Sequence, residues 1–128
     1  MIYEPQEDSF LLQKYVRKYA KGRVLDIGTG SGIQALTALE RTKDVFAVDV
    51  SDDAVSFVKS KGVDAKISNL FSKVDGKFDL IIFNPPYLPP DEHDDDLATS
   101  GGIDVIGRFL SQAKKFLNKD GRILLVFS

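Results

Sequence analysis

Apolar positions along this chain switch between two periods. Short runs of mostly apolar residues alternate with longer segments in which apolar side chains return every three or four positions. The runs "RVLDI", "DVFAVDV", "VDAKISN", "FDLIIFN" and "GRILLVFS" read as strands, the third of them weak. Before the first, "EDSFLLQKYVRKYA" places Leu12, Val16 and Tyr19 on one helical stripe, with Asp8 or Ser9 able to cap its start. "IQALTALER" is helical, and "SDDAVSFVKSKG" opens on a Ser51 cap and closes at Gly62. "IDVIGRFLSQAKKFL" carries Ile103, Ile106, Leu110, Ala113 and Leu117 at helical spacing. Strands that alternate with helices predict one doubly wound α/β domain over residues 1–128. Its sheet is expected to be parallel, with right-handed crossovers and helices on both faces. No internal repeat or linker interrupts the pattern.

Composition narrows the function classes. A net charge of −2 gives no broad attraction to nucleic acid or anionic membrane. The chain has no cysteine, which excludes disulfides and thiolate-bound zinc and fits a reducing cytoplasm. No apolar run approaches the ~20 residues of a membrane span. The start, "MIYEPQEDSF", lacks the basic-then-apolar order of a signal peptide. A soluble cytoplasmic protein is expected.

Candidate chemistry concentrates at the predicted ends of strands. In "LDIGTGSG", Gly28, Gly30 and Gly32 occupy a strand-to-helix turn, where the lack of a Cβ lets a ligand approach the backbone. Asp49 ends the second strand about 20 residues later, the place where a carboxylate accepts the hydroxyls of a ribose. Ile33 stands where a dinucleotide fingerprint has its third glycine. Asp26, just before the turn, would repel a diphosphate and suits a ligand with a cationic amino acid end. These features disfavour a nicotinamide dehydrogenase. The fourth strand runs into Asn84-Pro85-Pro86-Tyr87, whose prolines stiffen the exit.

The acid-x-Gly-x-Gly-x-Gly turn resembles that of the class I S-adenosylmethionine-dependent methyltransferases, with their Rossmann-like sheet. The resemblance implies that S-adenosyl-L-methionine packs against Asp26, Gly28, Thr29, Gly30 and Gly32, with its ribose at Asp49 and Val50 and its adenine by Asn69 and Leu70. It implies S-adenosyl-L-homocysteine as product. Asn84 then borders the donor as well as the acceptor. An amide or exocyclic NH2 nitrogen is a poor nucleophile. The Asn84 side-chain oxygen and the Pro85 carbonyl can hold its two N–H bonds, Pro86 can rigidify the corner, and Tyr87 can stack on the planar group. Glutamine side chains and adenine bases are both methylated behind this signature.

The start of the chain separates the two. Tyr3, Pro5, Glu7, Asp8 and Ser9 match the amino-terminal segment of HemK-related release factor glutamine methyltransferases of the archaeal and eukaryotic type. There the segment folds over the cofactor. "NPPYLP", the acidic loop and "GGIDVIGRFL" are similar too, so the resemblance spans essentially the whole chain. It implies methylation of the glutamine in the Gly-Gly-Gln loop of a translation release factor, and a small zinc-binding activator subunit as partner along the third strand. Asp91, Glu92, Asp94, Asp95 and Asp96 favour a basic peptide over phosphates. His93 among them reads as an exposed loop residue, and no metal site is expected. The run Lys14, Arg17, Lys18, Lys21 and Arg23 reads as a solvated face, with RNA or partner contact as the alternative. Other readings are an adenine methyltransferase for RNA or DNA and an inactive cofactor-binding module that supports a partner. Family members continue with a helix and two strands beyond the fifth strand. "RILLVF" reads as an interior strand that further chain or a partner would cover.

Overall fold

The computed structural model describes residues 7–85 and 105–126. Its elements are α1 (Glu7–Tyr19), β1 (Arg23–Ile27), α2 (Ile33–Leu39), β2 (Asp44–Asp49), α3 (Asp52–Ser60), β3 (Asp64–Ile67), β4 (Phe78–Phe83), a helix α4 over 105–113, and β5 (Leu117–Leu125). The strands form one parallel sheet in the order β3-β2-β1-β4-β5. Chain direction around the sheet reverses between β1 and β4, and the crevice at a reversal point is where such sheets bind ligands.

Period-two alternation sorts the strands' side chains onto two faces. Val24, Leu80 and Ile82 join Leu12 and Val16 of α1, Ala35 and Ala38 of α2, and Val55 and Val58 of α3 in one core. Leu25, Ile27, Ile81 and Phe83 face the other way, against Phe71 and Val74 of the loop after β3 and Phe109 and Ala113 of α4. Helices therefore cover both faces, as the alternating pattern predicts. The same parity sends the Asn84 side chain toward α1 and the Phe83 ring toward α4.

The sequence expectation is corrected at the carboxyl end. Helix α4 stops at 113, a 3-10 turn follows at Lys114–Phe116, and Leu117 already belongs to β5, opposite Phe78. On α4, Phe109 and the expected Ala113 are buried and Val105 is half-buried against the same cluster, whereas Leu110 is 49% exposed and Ile106 half-buried. Val105 and Phe109 lie one position before Ile106 and Leu110, so periodicity alone does not choose between the two pairs. Aromatic packing does: the Phe109 ring lies 4.6 Å from Phe83 and 5.7 Å from Phe71, and Phe116 stacks on Phe71 at 4.5 Å. No helix among the described residues is long and apolar enough to cross a membrane.

Candidate active site

A cavity of about 320 Å³ opens at the carboxyl ends of the strands. Gly28 and Gly30 after β1, Asp49, Val50 and Ser51 after β2, and Ser68, Asn69 and Leu70 after β3 line it. Phe83 and Asn84 contribute from β4, and Val105 and Arg108 from α4. Four separate loops thus converge because parallel strands all end on one side of the sheet.

Asp49 is the hub of this convergence. Its Oδ2 accepts the Gly30 N–H at 2.9 Å and its Oδ1 accepts the Ser51 N–H at 2.9 Å. Its backbone carbonyl accepts the Ser68 N–H at 2.9 Å. The carboxylate is held in one orientation with lone pairs to spare. Gly28 and Thr29 both donate their N–H to the Val48 carbonyl, and Gly32 donates to the Thr29 carbonyl. With Gly30, four N–H groups of the glycine turn are thus consumed within the protein, so the turn is not built as an anion cradle. Its glycines serve another end. Gly28, at φ +71°, would direct a Cβ toward the Phe83 ring and the Asn84 carbonyl, at 3.8 and 4.0 Å, where the cavity lies. Gly32, at φ +81°, would place one 2.6 Å from Val58, so its role is close packing of α2 on α3.

Asp26 lies beneath the turn, only 2% exposed, and is absent from the cavity lining. Thr29 Oγ1 donates to its Oδ2 at 2.9 Å, and the Ala35 N–H donates to it as well. Ala35 is in the first turn of α2, whose N-cap residue, Gly32, has no side chain to offer. Asp26 therefore caps α2 from the neighbouring strand. Burial pushes its pKa from the ordinary 3.8 up to about 7; the Thr29 and Ala35 bonds oppose that rise, and the Asp49 charge adds to it. The native state holds this proton over a pH range in which the unfolded chain has lost it. Stability from Asp26 is therefore fully present below pH 3.8 and is lost as pH rises through about 7. In denaturant melts the chain is expected to lose stability as pH rises from 3.8 to about 7 and to level off above that. Asp26→Asn should flatten that slope, and an unchanged slope would exclude this group as its source.

The segment after β3 is strained where it borders the cavity. Leu70 adopts φ 52°, which a non-glycine residue occupies only when its surroundings demand it. The Ser68 hydroxyl supplies that demand, donating to the Leu70 carbonyl at 2.7 Å and accepting the Lys73 N–H at 3.0 Å. Val50, 71% exposed, forms an apolar rim beside Asp49.

Among the expected site residues, the structure gathers Gly28, Gly30, Asp49, Val50, Asn69, Leu70 and Asn84 around the cavity. Asp26 and Thr29 brace it from below, and Gly32 packs behind. Glu7 and Asp8 are exposed on the first turn of α1. Ser9 is not a helix cap: α1 begins two residues earlier, and Ser9 is 1% exposed, with its hydroxyl accepting the Asn84 Nδ2–H at 3.1 Å. Pro85 is half-buried. Tyr3, Pro5, Pro86, Tyr87, His93, the acidic loop and Ile103 lie outside the described residues. Sequence reasoning missed Ile27, Ser51, Ala54, Ser68, Phe83, Val105 and Arg108 as lining residues. Ile27, Ser51, Ser68 and Phe83 adjoin recognised positions at strand ends, whereas Ala54 sits in α3 and Val105 and Arg108 arrive from a distant helix and carry no local signal. No cluster of three or more potential metal-ligating side chains occurs among the described residues.

Comparison with known proteins gives this geometry a family. A family model described as "Methyltransferase small domain" matches residues 6–128. A Methanocaldococcus jannaschii protein provisionally named protein N5-glutamine methyltransferase is 34% identical over 99% of this chain and 72% of its own length. A release factor glutamine methyltransferase of Deinococcus radiodurans is 35% identical, covering 86% of this chain and 47% of that protein. A ribosomal RNA small subunit methyltransferase C of Salmonella arizonae is 32% identical, over 92% and 34%. This chain therefore spans about half or less of the last two. A solved Bacteroides fragilis S-adenosylmethionine-dependent methyltransferase, in complex with S-adenosylhomocysteine, aligns at TM-score 0.59 and 30% identity, over 94% of this chain and 46% of that one. The converging strand ends, the Cβ-free face of the glycine turn at Gly28 and the fixed acid after β2 thus belong to a chain that is a member of the methyltransferase small domain family of class I S-adenosylmethionine-dependent methyltransferases.

Proposed function

We propose that this chain methylates the side-chain amide nitrogen of a glutamine, in the Gly-Gly-Gln loop of a translation release factor, in the cytoplasm. The observation that carries the reading is the place of Asn84. It lines the same cavity as Gly28, Gly30 and Asp49, and its NH2 is already engaged by Ser9. That leaves the side-chain oxygen to accept from an incoming NH2.

The residues present fit S-adenosylmethionine. Gly28 keeps clear the space that a Cβ would enter, Asp49 has free lone pairs for a ribose, and Val50 and Leu70 offer apolar surface to a base near the polar Asn69. When bound, the donor supplies a sulfonium-activated methyl group and needs no metal. The protein's own part is alignment. Asn84 Oδ1 and the Pro85 carbonyl accept the two N–H bonds of the acceptor amide. They fix the direction of its nitrogen and stabilise the positive charge that develops there. The names of the Methanocaldococcus and Deinococcus relatives, and the match of Tyr3 to Ser9 with that group, support glutamine as acceptor. A small zinc-binding activator subunit is the expected partner at the edge strand β3, where Ile67 is 49% exposed.

The ribosomal RNA relative supports a second reading, an amino group on a base of RNA or DNA. The deciding assay supplies labelled donor with a Gly-Gly-Gln release factor, its Gln→Ala variant, and ribosomal RNA, each with and without activator. Label on the parent factor and none on its Gln→Ala variant is expected. Label on RNA alone would transfer the assignment to the second reading.

A further inference from the structure

The geometry points to Ser9 as the positioning residue that orients Asn84, rather than as a cofactor ligand; this rests on the proposed transfer to an NH2 nitrogen. A side-chain amide presents a donor and an acceptor on opposite sides, and only the acceptor is useful against an incoming NH2. Ser9 Oγ accepts from Asn84 Nδ2 at 3.1 Å, which assigns the donor side to the protein and turns Oδ1 to the cavity. Ser9 is 1% exposed, so its end of this bond is shielded from water.

Ser9 is itself anchored. Its carbonyl accepts from Gln34 Nε2 at 2.8 Å, and Gln34 is 3% exposed in α2, the helix that begins at the glycine turn. A buried path therefore runs from the glycine turn through Gln34 and Ser9 to Asn84, three segments far apart in the chain. It holds the acceptor-binding amide in register with the donor-binding turn. Gln13, one helical turn further along α1, repeats the tie by donating to Thr37 Oγ1 at 2.9 Å. Residues flanking Ser9 are exposed (Phe10 and Leu11 at 56% each), so the inward turn of this one hydroxyl is not explained by burial of the whole segment.

Ser9→Ala removes the acceptor and leaves the Asn84 amide free to present its NH2 to the substrate's NH2. Expected is a fall in kcat on the order of 10- to 100-fold, with S-adenosylhomocysteine affinity kept within about threefold. Ser9→Thr, which restores the hydroxyl, should recover most of the rate. Parallel loss of cofactor affinity and rate in Ser9→Ala would overturn the inference, because Ser9 would then be a cofactor ligand. A second measurement needs no variant to fold well. In nitrogen-15 spectra of the unmodified protein, one Asn84 side-chain proton should exchange slowly with solvent, and two equally fast protons would overturn the bridge. If the unmodified protein methylates neither glutamine nor nucleic acid, the proposed function fails, and the exchange measurement still judges the bridge by itself.

Discussion

Replacing Asn84 by alanine should lower kcat for methyl transfer by about two to three orders of magnitude, with donor affinity little changed. The variant loses one preorganised polar group that acts on charge developing in the transition state. Such a group contributes little to ground-state binding, so the loss should appear in kcat rather than KM. The environment supports this separation. Asp49, Val50, Ser51, Asn69 and Leu70 border the cavity from the β2 and β3 side, whereas Asn84 enters it from β4. Asn84→Asp keeps an oxygen acceptor but cannot donate to Ser9, so an intermediate loss is expected. Paired kinetics and calorimetric titration with S-adenosylhomocysteine test the point. An Asn84→Ala chain with unchanged kcat would remove the residue from the chemistry.

Asp49→Ala should act on the other half of the site. The carboxylate accepts from Gly30 and Ser51 and has capacity for the ribose hydroxyls of the donor. Hydrogen bonds to a charged acceptor contribute roughly 1.5–3 kcal/mol each, so losing two weakens donor binding by at least about 100-fold. The Gly30 and Ser51 N–H groups also lose their acceptor, and the loops after β1 and β2 lose their common anchor. Lower thermal stability is expected together with near-complete loss of the stabilisation that S-adenosylhomocysteine gives. Asp49→Asn, which retains one oxygen, should fall between. Donor affinity within a few-fold of the parent in Asp49→Ala would place the ribose elsewhere.

The two variants divide the cavity into a donor side and an acceptor side. An inactive module that only supports a partner would lose donor binding in Asp49→Ala and show no turnover to lose in Asn84→Ala. Measuring both separates that case from an enzyme.

Much of this protein was legible along the chain because period and punctuation are local. The alternation of apolar runs with helical stripes determined a parallel sheet with helices on both faces. The glycine turn, the acid after the second strand and "NPPY" marked strand ends that a parallel topology must bring together. The Ser51 cap was equally readable, since its hydroxyl accepts from Ala54 within the same turn at 3.3 Å. Tertiary structure decided the rest, wherever partners are remote in sequence. It chose Phe109 over Leu110 for burial because Phe71 and Phe83 offer rings to pack against. It placed Asp26 under the turn because α2 lacks a capping side chain of its own. It turned Ser9 from an expected cap into a buried link to Asn84, 75 positions away. A hydrogen bond across that separation depends on how strands and helices stack, and no neighbouring residue encodes it.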